Sequence, residues 1–206
     1  RYSRTPEDFG TEKVNAITIG LENILDSGNK FSNVFKFEDK DQTTSALSGG
    51  RYILAKTNLE TSTLSSKLTK KQRFNNLDLK SKLGVDFFNS AYRAIGNDWN
   101  QDKYHNIASQ NIIEPFGIFE FNHSSNEKID YEIGFRYHYY ELDTDNYTTK
   151  TSLSSDDRQN YAWSLGANYN LQNGQKLFTH VSRAYRSPRL DEIISLIKPS
   201  PGHTHI

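Results

Sequence analysis

Between Ile129 and Leu171 the chain carries apolar side chains on every second position over two long runs. The first is Ile129, Tyr131, Ile133, Phe135, Tyr137 and Tyr139, with Asp130, Glu132, Gly134, Arg136 and His138 between them. The second is Tyr161, Trp163, Leu165, Ala167, Tyr169 and Leu171, interleaved with Ala162, Ser164, Gly166, Asn168 and Asn170. A period of two puts one set on each face of a sheet, so one face is aromatic and apolar and the other is wet. Strands this long and this one-sided suit the wall of a β-barrel that crosses a membrane. A soluble antiparallel sandwich or lipocalin-like barrel also alternates, and alternation by itself leaves the two open.

Composition narrows the choice. No stretch approaches the ~20 apolar residues of a spanning helix, which excludes a helical membrane protein. Hydrophobic residues make up only 34% of the chain, a figure that a barrel tolerates because half of each strand faces a hydrated lumen. Twelve Tyr and twelve Phe argue against disorder and fit strands with interfacial girdles. The formal net charge is +0, without the basic excess expected of a nucleic-acid binder. The basic cluster Lys67, Lys70, Lys71 and Arg73 reads as a solvated turn. With no Cys there is neither a disulfide framework nor a thiolate metal site. The chain has no Met and starts Arg1-Tyr2-Ser3-Arg4, which reads as a mature form or a fragment.

Eight strands are predicted, near 14–24, 30–38, 50–61, 72–94, 112–122, 128–141, 159–171 and 175–186. Short connections (26–29, 122–127 and 172–174, the last with the turn pair Asn173-Gly174) alternate with long polar ones at 39–49, 96–111 and 142–157. The 62–71 connection is intermediate. Alternating short and long connections is the pattern of outer-membrane barrels, with turns on one side and loops on the other.

The segment Leu177 to Glu192 reads Leu-Phe-Thr-His-Val-Ser-Arg-Ala-Tyr-Arg-Ser-Pro-Arg-Leu-Asp-Glu. It resembles the strand-end motif of TonB-dependent outer-membrane receptors, with Ser182, Arg183, Tyr185, Arg186, Pro188, Leu190 and Glu192 at the matching positions. Leu83-Gly84-Val85-Asp86-Phe87, Phe116-Gly117-Ile118-Phe119-Glu120 and Ile133-Gly134-Phe135-Arg136-Tyr137 resemble further strands of that family, in its order. Pro188 cannot donate to a ladder and would end the strand. Arg183 and Arg186 read as strand-rim scaffolding, with Asp191 and Glu192 as available partners. The plug domain and energy-coupling box of a complete receptor are not recognisable, and the family's barrel has more than eight strands. The resemblance therefore implies an all-β fold: an antiparallel transmembrane barrel wall of about eight meandering strands, with 1–206 forming part of a larger barrel domain.

It further implies a transporter rather than an enzyme, placed in the outer membrane of a Gram-negative bacterium. Such a receptor takes up an iron–siderophore complex, haem, cobalamin or a metal ion. Its partners would be outer-membrane lipid, the small-molecule nutrient or metal complex, and the TonB energy-coupling protein acting through a plug; no nucleic acid and no cofactor are implied. A passive porin or small complete eight-stranded barrel is the alternative, and a soluble lipocalin-like binding barrel a third reading. The latter would bury Ile133, Phe135, Trp163 and Leu165 inside.

No catalytic motif is present. Loops 96–111, 142–158 and 187–206 are the expected outer binding surface. Trp99, Tyr104 and His105, predicted in the first of these, could stack on a ligand or belong to an aromatic girdle. His203 and His205 have a spacing that could ligate a metal, but no further ligand accompanies them. Asp143 and Asp145 read as a solvated loop, and His123 as an exposed turn residue.

Overall fold

The computed structural model describes residues 9–25, 28–48, 51–97, 103–123, 129–146, 151–171, 174–185 and 190. They form one antiparallel sheet of eight strands paired strictly in chain order. The strands are β1 Phe9–Ile24, β2 Lys30–Ser48, β3 Arg51–Phe74, β4 Leu77–Asn97, β5 Lys103–His123, β6 Ile129–Asn146, β7 Thr151–Asn170 and β8 Lys176–Arg183. Among the described residues β1 and β8 do not pair with each other, so the wall is open along both edges. No pairing of β1 with β8 among the described residues, then, closes a small eight-stranded barrel.

The turns at one end follow from residues that accept a positive φ. Gly28 (φ 72) and Gly174 (φ 75) lie in the β1–β2 and β7–β8 turns, where Leu25 N–H donates to Asn29 O and Leu171 N–H to Gln175 O, both at 2.8 Å. Asn75 takes φ 50 between β3 and β4, a region Asn tolerates without glycine's freedom. That turn corrects the expected break at 62–71, which lies inside β3, and splits the run 72–94, which was predicted as one strand. The apolar parity changes across the turn, from even Leu64 and Leu68 to odd Leu83 and Phe87, which face one another as cross-strand partners. The cluster Lys67, Lys70, Lys71 and Arg73 is likewise strand, not turn.

The long polar stretches at the other end are also mostly strand. β2 continues to Ser48 and β3 begins at Arg51, while β5 already runs from Lys103 and β6 reaches Asn146. Where both faces of a hairpin meet water, pairing persists after the alternation fades. Thr, Ser and Asn along 43–45 and 57–63 suit that setting. β3 has 24 residues, about 80 Å of extended chain, where spanning needs only ~9–11. Trp99 lies outside the described residues. Tyr104 and His105 fall within β5, opposite Gly96 and Ile95, and so sit on a hairpin extension instead of a loop.

The two faces differ sharply. Ile133, Phe135, Trp163 and Leu165 are 43%, 51%, 37% and 49% exposed, so the apolar parity points outward and the lipocalin-like reading is overturned. On the opposite face Asp86, Gln110, His138, Tyr140 and Thr144 are buried. Side chains on that face crowd one another, as they do on the inside of a curved sheet. Tyr140, Ala108 and Leu142 form the buried cluster, and Leu190 folds onto it from beyond β8. Glycines let aromatic rings lie flat against the sheet. A Cβ at Gly84 would meet the Phe116 ring and the Ser66 carbonyl at 2.6 Å on the inner side, and one at Gly117 would meet the Phe135 ring at 2.6 Å on the outer side.

Candidate functional site: the polar inner wall

Midway along the inner face, charged side chains from adjacent strands meet. In β4, Asp86 accepts from Ser65 Oγ of β3 at 2.6 Å and from Arg136 Nη1 of β6 at 2.8 Å. Arg136 Nη1 also donates to Glu114 of β5, and Glu114 Oε1 lies 2.5 Å from His138 Nδ1. One guanidinium therefore holds two carboxylates and ties three strands together, with Ser65 adding a fourth. The Arg136 head rests 4.7 Å above the Phe116 ring centroid, the same ring that covers Gly84. The His138 side chain is 5% exposed and is flanked by the rings of Tyr140 and Tyr185, with centroids at 5.6 and 4.9 Å.

The network coincides with a fault in the ladder. Between β5 and β6 the register passes from Ile113↔Tyr139 to Phe116↔Arg136, skipping Glu114 and Pro115. Proline has no N–H to give, and inside a sheet it interrupts pairing. Glu114, inside the gap, grips β6 through Arg136 and His138 instead. Nearer the turn end of the inner face, Glu120 binds Lys80 at 2.8 Å and Lys82 at 2.5 Å. Beyond it, at the turn itself, Arg73 Nε and Nη2 clasp Asp78 at 2.6 and 2.9 Å. This solvent-facing pair holds the Asp78 carboxyl below its ordinary range, chiefly through the hydrogen bond from Arg73.

The strand-end motif is divided between the two faces. Ser182 is the cross-strand partner of Ser164 on the inner side. Arg183 points outward, its Cζ 4.1 Å from the Tyr161 ring centroid. Tyr185 turns inward onto His138, and Leu190 reaches Tyr140 and Leu142. Arg186, Pro188, Asp191 and Glu192 lie outside the described residues, as do His203 and His205. The described residues include no group of three or more His, Asp or Glu placed to hold a metal. Sequence reasoning passed over Asp86, Glu114, Arg136 and His138 as site residues. The available signal was charge on the polar parity of otherwise apolar strands, next to a proline.

This wall can present fixed charge and aromatic edges to a lumen, and its extended hairpins stand beyond the apolar belt. No curated protein matches the chain. Solved structures similar in fold include the ferric citrate transporter FecA in its unliganded form, at a TM-score of 0.79 and 12% identity over 86% of this chain and 28% of that one. The ferric-catecholate import receptor Fiu from E. coli K12, in its open form, gives 0.71 and 11% over 87% and 36%. The copper transporter OprC gives 0.65 and 15% over 89% and 32%. The chain thus spans about a third of the length of these proteins. The family model described as TonB dependent receptor-like, beta-barrel matches residues 2–203, and the chain belongs to that family.

Proposed function

We propose that this chain is part of the barrel domain of an outer-membrane uptake receptor of Gram-negative type, a transporter and not an enzyme. It imports a scarce nutrient with energy supplied by TonB through a plug domain. The observation that carries this reading is the family match over 2–203, joined to a wall whose apolar parity faces outward and whose inner face is charged. The nutrient is a ferric siderophore, haem, cobalamin or a metal ion. Neighbours named for ferric citrate, ferric catecholate and copper support that range without selecting within it. The hairpin extensions of β2–β3, β4–β5 and β6–β7 supply the outer capture surface, Tyr104 and His105 of β5 among it.

The test uses the full-length receptor expressed in cells lacking their own uptake systems. Uptake of labelled ferric citrate, a ferric catecholate and copper is followed with and without a protonophore. Saturable uptake of one of them, abolished by the protonophore and by loss of TonB, is the expected result. Unsaturable passage of all three, insensitive to both, would mark a passive porin and overturn the proposal.

A further inference from the structure

The geometry points to a lipid-phosphate contact on the outer wall, built from Arg183 of β8 with the Tyr161 ring of β7, and rests on the outer-membrane reading above. Cross-strand pairing aligns Phe135, Trp163 and Arg183 in one row of the outward face. The next row toward the hairpin extensions holds Tyr137 and Tyr161, and the row after that pairs Tyr139 with Gln159. From Ile129 to Tyr139 the face rises about 24 Å at a tilt of ~45°, close to the height of an outer-membrane apolar band. Tyr137 and Tyr161 therefore form the aromatic row just under its upper edge, 40% and 53% exposed. Beyond them the surface turns polar, with Tyr139 Oη donating to Glu141 at 2.9 Å.

A guanidinium one row below that aromatic row has only one favourable direction. Arg183 extends its stem along apolar surface and brings its head to the Tyr161 row, with Cζ 4.1 Å from the ring centroid. Among the described residues no carboxylate pairs with Arg183. Its outer N–H groups meet no acceptor among the described residues, and they lie toward the upper edge of the apolar band. A planar fork of donors stacked on an aromatic ring matches a phosphate with two parallel hydrogen bonds. The occupant is the phosphate headgroup of an outer-leaflet lipid. Its acyl chains would lie along the exposed Trp163, Leu165 and Val181.

The full-length receptor in detergent can be titrated with phosphatidic acid, and with diacylglycerol of the same chains, by native mass spectrometry. Heat-modifiable gel migration checks that each variant is folded. Arg183→Gln should lower the preference for phosphatidic acid about fivefold. Tyr161→Leu, which keeps the charge and removes its platform, should lower it less, and Arg183→Lys should retain part of it. Arg73→Gln, at the opposite end of the wall, should leave the preference unchanged. An unaltered preference in folded Arg183→Gln and Tyr161→Leu overturns the assignment. Displacement of lipid by millimolar inorganic phosphate alone also overturns it, by revealing a free-anion site. If the wild-type receptor fails to insert into lipid vesicles, the outer-membrane reading itself fails. Insertion with no phosphate preference removes only the lipid contact.

Discussion

Arg136 is the residue on which the inner wall depends most directly. Its guanidinium balances Asp86 and Glu114, whose side chains are only 13% and 17% exposed. Removing it leaves two largely buried carboxylates facing each other without its counter-charge. Arg136→Met should cost roughly 1–3 kcal/mol of barrel stability, below the figure for a fully buried pair because the arginine itself is partly solvated. Adding Asp86→Asn and Glu114→Gln should restore much of that loss. Thermal unfolding of the full-length receptor in detergent, followed by heat-modifiable migration, measures both. A triple variant as unstable as the single one would show that packing on Phe116, not charge balance, is what Arg136 supplies.

At the scale of the strand and its turns, the Arg73–Asp78 clasp closes the β3–β4 hairpin outside the membrane. Asp78 titrates below the usual carboxylate value of 3.8, so its contribution is complete above that pH and fades as pH falls through the lowered value. Amide protection around Asn75 and Asn76, taken relative to the intrinsic exchange rate at each pH, should therefore fall as pH drops through that lowered value, with Asp78→Asn less protected above it and equal to the wild type below it. The strands that carry strict alternation, β6 and β7, were legible in the sequence. One apolar and one polar face give the period of two there, and Gly174 announces the β7–β8 turn as Gly28 does the β1–β2 turn. The β3–β4 turn was not, because Asn75 adopts its positive φ with no glycine to signal it. Strand ends near 39–49 and 142–157 were missed for a different reason. Water on both faces removes the alternation while leaving the ladder intact. The inner network escaped because its members are far apart in sequence, with 50 positions between Asp86 and Arg136. The strand-end motif was readable as a pattern, yet its division between an outward Arg183 and an inward Tyr185 depends on where β8 stops.

For the whole molecule, the decisive property is which parity meets lipid. Leu165 lies in the middle of the outward band, between Ile133 and Val181. Leu165→Arg should destabilise the inserted barrel by about 2–4 kcal/mol, whereas Thr43→Arg on the β2 extension should cost almost nothing. Folding titrations of the full-length receptor into lipid vesicles give both values. Equal costs at the two sites would mean that the outward face does not contact hydrocarbon. The same outward band, about 24 Å tall, accounts for only about ten residues of each strand of 18 to 24 residues in β2–β7, so roughly half of their length is scaffold for hairpins standing in water.

The skipped positions at Glu114 and Pro115 set the β5–β6 seam apart from the continuous β3–β4 ladder. Hydrogen bonds of a regular ladder are indifferent to dissolved ions, but the tie from Glu114 to Arg136, whose side chain is 37% exposed, is partly open to them. Ionic strength should thus act as a selective solvent for the β5–β6 joint. Raising salt from ~0.01 to ~1 M, which shortens the screening length from ~30 to ~3 Å, should quicken amide exchange beside that joint while the continuous β3–β4 ladder stays slow. A proline placed in the middle of a barrel strand would make one wall joint responsive to the salinity of the cell's surroundings.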